Sequence, residues 1–251
     1  MEKNFIITES NVAMVARDMA SFIKTQVNDA HRTGVVLGMS GGLDCAVVAR
    51  LCQLADVETL LVMMPDGDGM LAGDAMAHSH ELIQKFNFDH ETFDISGVTR
   101  GGIEAILNDY TLDKLPKENI RPRIRMTLLY TLAQQLGAFV IGTSNLNERL
   151  LGYFTKWGDG GSDLNPLGML TKGEVRILAR YLDVPDNIIN KPPSAGLVPG
   201  QTDEDDLGFT YQEMDNFILN GSTGDVDTDS ALAKRIQMSK HKNVPIPLYR
   251  G

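Results

Sequence analysis

Apolar residues recur along this chain with two alternating periods, and the alternation specifies an architecture. Val12, Val15, Met19, Phe22, Ile23 and Val27 fall at helical spacing, and Ser10 stands where a residue would cap the helix they predict. A short apolar run follows at 34–39. Then come a second helical pattern at 43–54, an apolar strand at 59–64, a helix near 71–86, a strand at 90–95 and a helix from Ser96 toward Asn108. Residues 119–136 are helical by period and 138–142 read as a further short buried strand. Thr171-Lys172-Gly173-Glu174 has capping-box spacing and opens a helix to Leu182. Strands and helices that alternate in this way build a doubly wound parallel sheet with flanking helices, an α/β fold. No repeat, low-complexity tract or linker divides the chain, so residues 1–251 are expected to form a single domain.

Two connections are too long to be simple turns. Residues 152–170 carry five glycines with Lys156, Trp157, Asp159 and Asp163, and residues 191–208 carry Pro192, Pro193, Pro199 and the run Asp203-Glu204-Asp205-Asp206. Long loops in compact domains are functional or disordered, and those at the carboxyl edge of a parallel sheet gather around the ligand. Both are candidate lids. The acidic run by itself reads as a solvated surface loop.

Ser40-Gly41-Gly42-Leu43-Asp44-Cys45 closes the strand at 34–39 and opens the next helix. Adjacent glycines let the backbone turn tightly and present N–H groups to an anion, at the point the positive end of the helix faces. Asp44 would repel phosphate unless a divalent cation lay between them, so the segment reads as a nucleotide site that also holds magnesium. The alternative is a plain helix start, capped by Ser40 or Asp44. Arg121, Arg123 and Arg125 precede an apolar helix at every second position, a spacing that spreads them around its axis unless Pro122 holds Arg121 extended. Alone they fit anion binding and surface charge equally. Thr143 and its neighbours follow a buried strand, and Glu148, five residues on, could share a magnesium with Asp44 or be a solvated helix residue.

Composition narrows the classes. With 251 residues, 43% hydrophobic and 22% charged, the chain can bury a large core, and its net charge of −10 argues against extended contact with nucleic acid. No run approaches the roughly 18 apolar residues of a membrane span, and residues 1–10 lack the form of a secretory signal, so a cytoplasmic enzyme is expected. Cys45 and Cys52 lie about 10 Å apart on one expected helix, beyond disulfide reach.

The glycine loop resembles the pyrophosphate loop of the N-type ATP pyrophosphatases, which share the adenine nucleotide alpha hydrolase-like fold. Gly142-Thr143-Ser144-Asn145, the run Gly152-Tyr153-Phe154-Thr155-Lys156-Trp157-Gly158-Asp159-Gly160-Gly161-Ser162-Asp163, and Lys191-Pro192-Pro193-Ser194-Ala195-Gly196-Leu197 narrow this to the NAD synthetase family. The resemblance covers about residues 10–250 and is to the short, ammonia-dependent form, without a nitrilase-like glutaminase domain. It implies that deamido-NAD is adenylated by ATP and amidated by ammonia, giving NAD, AMP and pyrophosphate. Gly38, Met39, Ser40, Gly41, Gly42, Leu43, Asp44 and Cys45 would hold the ATP phosphates, with Asp44 and Glu148 on Mg2+. Thr143, Lys172 and Ser194 match ATP-contacting positions, and Asp44 and Lys172 would carry the catalysis. Arg123, Lys156, Asp163, His241 and Lys242 match positions that hold deamido-NAD, in a site completed across a homodimer. Cys45 departs from the family's usual Ser or Thr, and a thiol is a weaker donor than a hydroxyl. The methionines Met63 and Met64 depart likewise, where some relatives place an arginine near ATP. Two rivals remain: another adenylating enzyme of this fold, an amidotransferase subunit or a tRNA modifier, and a degenerate nucleotide-binding module.

Overall fold

The computed structural model describes residues 5–67, 74–107, 110–192 and 202–249. Among them the apolar runs form a parallel sheet of four strands: β1 (Gly34–Gly38), β2 (Glu58–Met63), β3 (Asp89–Thr92) and β4 (Phe139–Val140), in the spatial order β3-β2-β1-β4. β1 is central and buried from Gly34 to Leu37, and Gly34 lets it close on β2, since a Cβ there would lie 2.2 Å from the Glu58 carbonyl oxygen.

Helices cover both faces. On one, α1 (Val12–Asp29), α2 (Leu43–Leu54) and α9 (Lys172–Tyr181) bury Ile23, Val47, Leu51 and Leu178 with Leu167 and Leu170. α3 (Asp74–Phe86) follows β2 and packs Leu82 and Ile83 into the same core. The other face carries α7 (Ile120–Leu136) over Val36, Val62 and Val140. A third cluster, built on Leu207, Tyr211, Met214 and Leu232, unites α11 (Asp203–Leu207), α12 (Tyr211–Asn220) and α13 (Val226–Ser239). No helix among the described residues is long and apolar enough to cross a membrane.

Several expectations needed correction. Asn11, not Ser10, occupies the cap position of α1 and takes the Thr8 amide on its side chain, while the Ser10 hydroxyl turns to Thr8. The single helix expected from Ser96 is broken into α4 (Ser96–Val98), a π turn (Thr99–Ile103) and α5 (Glu104–Ile106), because two adjacent glycines weaken it. A short α6 (Lys114–Glu118) precedes α7, and Arg121 is helical rather than extended. Pro122 is tolerated as the third residue of α7, where its missing N–H would have had no helical partner.

The order β3-β2-β1-β4 reverses direction at β1, since β2 lies on one side and β4 on the other. In an open α/β sheet the crevice outside the carboxyl ends at such a reversal is the ligand site. Both connections that leave there, residues 39–42 after β1 and 141–145 after β4, were singled out by the sequence.

Candidate active site

Gly41 has φ +72°, and a Cβ on it would lie 2.1 Å from the Ala75 carbonyl oxygen of α3, so only glycine turns the chain from β1 into α2. Gly42 holds the cap position of α2 without a side-chain cap. Ser40 does not cap the helix but lies 3.1 Å from the Cys45 sulfur. The first amides of α2 therefore open on a cavity of about 700 Å³, lined by Ser40, Gly42, Asp44 and Cys45 on this side. Burial pushes the Cys45 thiol up, which keeps it neutral.

Across the cavity stand α8 (Leu146–Leu151) and the start of α9. Asn145 and Glu148 form a reciprocal capping box, Asn145 Oδ1 accepting from the Glu148 amide at 3.0 Å and Glu148 Oε2 from the Asn145 amide at 3.1 Å. The same bond fixes Glu148 at the cavity wall. Burial and the charge of Asp44 push its carboxyl up to about 8, against the pull of Lys172. The box expected at Thr171 is present too, Glu174 Oε2 accepting from the Thr171 amide at 2.8 Å. Asn147 Oδ1 accepts from the Lys172 amide and Asp215 Oδ2 from that of Gly173, so the start of α9 is satisfied by protein and its lysine is held in place.

Lys172, 3% exposed, reaches Asp44 Oδ2 at 2.5 Å, while Asp44 Oδ1 is buried with no hydrogen-bond partner. This pair suits a divalent cation. An unsatisfied buried carboxylate oxygen and a second carboxylate that resists ionisation beside it both gain from a positive ion. Among the described residues no three acidic, histidine or cysteine side chains stand close enough together to hold a metal ion by themselves. Magnesium characteristically takes one or two carboxylates and completes its shell with phosphate and water, which matches this donor set.

The residues expected for the dinucleotide fare differently. Lys242 lines the cavity and donates to the carbonyls of Gly152 and Phe154 at 2.7 and 2.8 Å. Arg123, Lys156 and His241 do not line it; they adjoin one another outside, Arg123 reaching the Lys156 carbonyl and Lys156 Nζ the His241 carbonyl. Asp163 is spent on structure, accepting from the Val140 amide at 2.7 Å and from the Tyr130 hydroxyl at 3.3 Å. Among the ATP-contacting positions, Thr143 lies against Cys45 and lines the cavity, and Ser194 lies outside the described residues.

The cavity also contains residues that the sequence reading weighed but assigned to neither substrate. Arg125, not Arg123, is the arginine of α7 that faces it, with Nε on the Met64 carbonyl and a buried, unpartnered Nη2. Arg121 serves inward instead, pairing with Asp66. Burial raises the Asp66 carboxyl, but the Thr99 hydroxyl and Arg121 outweigh it and hold it below the usual range. Asp203 and Asp206 line the cavity as well, and the solvated-loop reading of the acidic run fails at its first residue: Thr202 caps the run into a helix and turns Asp203 inward, while Asp205 and Asp206 stay exposed.

A profile of the NAD synthase family matches residues 15–246. An NH3-dependent NAD+ synthetase of Finegoldia magna is 39% identical over 238 residues, 92% of this chain and 94% of that protein. Among solved structures, the NMN synthetase of Francisella tularensis superposes with a TM-score of 0.90 at 34% identity, covering 98% of this chain and 100% of its own. The NH3-dependent NAD synthetase of Campylobacter jejuni gives 0.77 at 29% identity, covering 95% and 99%.

Proposed function

The chain belongs to the NAD synthase family, and from that premise we propose the chemistry of its cavity. It is an ATP-using ligase that amidates the nicotinate carboxylate of deamido-NAD with ammonia. The observation that carries the assignment is the convergence of the 40–45 loop, Asp44, Glu148 and Lys172 on one cavity at the reversal of strand order.

A carboxylate is a poor electrophile toward ammonia. Its oxygen therefore attacks the α-phosphorus of ATP, the bond to the β-phosphate oxygen breaks, and pyrophosphate leaves with that electron pair. Ammonia then adds to the acyl carbon of the mixed anhydride, loses a proton, and AMP departs. The amides that open α2 bind the departing pyrophosphate, and Lys172 supplies positive charge where the phosphoryl oxygens gain negative charge. Asp44 and Glu148 would hold Mg2+, which when bound neutralises the phosphate oxygens. The side chains at 40, 143 and 172 orient ATP, and those at 123, 156, 241 and 242 the dinucleotide, while Asp163 shapes the wall from behind through its bonds to Val140 and Tyr130. The outward position of Arg123, Lys156 and His241 supports a homodimer whose second copy completes that half of the site. Loop 152–170 and the 191–208 segment, of which 193–201 lie outside the described residues, act as lids over a single domain that works in the cytoplasm. Incubation with ATP, ammonium and deamido-NAD tests the reading: AMP and pyrophosphate must appear in equal amounts, only when deamido-NAD is present, and glutamine must not replace ammonium.

A second reading has its own support. The superposition on a structure described as NMN synthetase is closer than that on the NAD synthetase of Campylobacter jejuni, 0.90 against 0.77, and three of the five residues assigned to the dinucleotide lie together outside the cavity. On this reading the same adenylation and amidation act on nicotinate mononucleotide. The ratio of kcat/KM for the mononucleotide to that for deamido-NAD decides between them.

A further inference from the structure

Asp44 faces two claims. Lys172 Nζ occupies its Oδ2, and a metal on the remaining Oδ1 would stand within about 5 Å of that ammonium, where two positive charges largely out of water repel strongly. A metal assigned to Asp44 must therefore move the ammonium, and a buried ammonium needs another acceptor.

The structure contains one. Asp203, at the start of α11, is 5% exposed; its Oδ2 accepts from the Tyr211 hydroxyl at 3.0 Å, and its Oδ1 is buried with no hydrogen-bond partner. Lys172 Nζ lies 5.4 Å from the centroid of that same Tyr211 ring. One ring thus bears the ammonium on its face and the carboxylate at its hydroxyl, and both charged groups line the cavity. The neighbouring carboxylates are committed, Glu148 to its capping box and the metal, Asp206 to the Tyr153 hydroxyl at 2.8 Å.

We propose that Asp203 is the second seat of Lys172: when a divalent cation takes Asp44, the ammonium crosses the Tyr211 ring to Asp203 Oδ1. The inference rests on the assignment of the metal to Asp44. Asp203 is then a positioning residue, which keeps Lys172 charged and within the cavity after its first partner is taken.

Mn2+ alone, titrated into the intact protein and followed by water-proton relaxation, tests this in wild type, Lys172→Met, Asp203→Asn and the double variant. Lys172→Met should tighten Mn2+ binding, since nothing has to be displaced. Asp203→Asn should weaken it about tenfold while Lys172 is present and leave it unchanged in the Lys172→Met background, because the two residues act as one coupled unit. Tyr211→Phe, which removes only the hydroxyl that orients Asp203, should weaken binding in the same direction by less. Equal weakening by Asp203→Asn in both backgrounds would make Asp203 a ligand or a distant charge, and no effect in either would leave it without a part; each overturns the proposal. Asp44→Asn is the control for the premise. If it binds Mn2+ like wild type, the metal assignment itself falls and the proposal with it.

Discussion

Replacing Asp44 with asparagine keeps the shape of the side chain and removes its charge, and the structure makes the consequence twofold. The first is catalytic: adenylation should nearly cease, because the site assigned to the metal loses one of its two carboxylates. The second is structural. Lys172 is 4% exposed at its side chain and Asp44 15%, so the pair is largely out of water, and removing one partner of a buried pair costs about 3–5 kcal/mol when the other charge is left uncompensated. Here Asp203 lends Lys172 negative charge, and Glu148, relieved of the like charge of Asp44, ionises more readily beside it, so the loss should fall nearer 2 kcal/mol, and Tm should drop by roughly 4–8 °C. Urea denaturation of the ligand-free protein measures it, and the double variant Asp44→Asn, Lys172→Met supplies the internal check. Removing both charges should recover most of the lost stability, with a coupling of about 1–3 kcal/mol between the two sites. Additive effects, or Asp44→Asn as stable as wild type, would refute the view that this ion pair holds the empty cavity together.

Three further outcomes are expected. Cys45→Ser should match or raise turnover by at most about a hundredfold, since a hydroxyl gains one bond to a charged phosphate worth roughly 1.5–3 kcal/mol; a large loss would show that the thiol itself is required. Arg123→Ala and Lys156→Ala should raise KM for deamido-NAD about tenfold and leave that for ATP unchanged, because both stand apart from the phosphate loop; the reverse pattern in steady-state kinetics would move them to the ATP site. The Glu148 carboxyl, held near 8 in the fold against an ordinary 4.5, keeps a proton that the unfolded chain releases, so the ligand-free protein should lose stability as pH rises from 4.5 to about 8, a slope that Glu148→Gln should flatten; parallel curves for the two proteins would contradict this.

What the sequence disclosed, it disclosed through local rules. The glycine turn at 41–42, the box at Thr171 and Glu174, and the alternation of strand and helix depend on neighbours a few residues apart, and the structure contains all three. Rotational phase was not legible. A helix turns about 100° per residue, so without knowing that α7 starts at Ile120 nothing distinguished Arg125, which faces the cavity, from Arg123, which does not. Asp203 was hidden for a related reason: four consecutive acids look uniformly solvated, and only the Thr202 cap and a tyrosine eight residues on select the first for burial.

Asp163 and its neighbour have a bearing on solubility. β4 is only two residues long and stands at the edge of the sheet, where unpaired amides and carbonyls invite another chain to add a strand. The loop around Asp163 seals that edge: the Asp163 carboxylate takes the Val140 amide, its own amide reaches the Val140 carbonyl at 2.9 Å, and Gly142 N–H donates to Leu164 at 2.8 Å. At the opposite edge β3 is fully exposed and relies on Asp89 and Glu91 to repel a partner. The 152–170 loop is therefore also the guard against strand addition at that edge, and a substitution that loosens it to widen the cavity would bare amides and carbonyls with which another chain could pair.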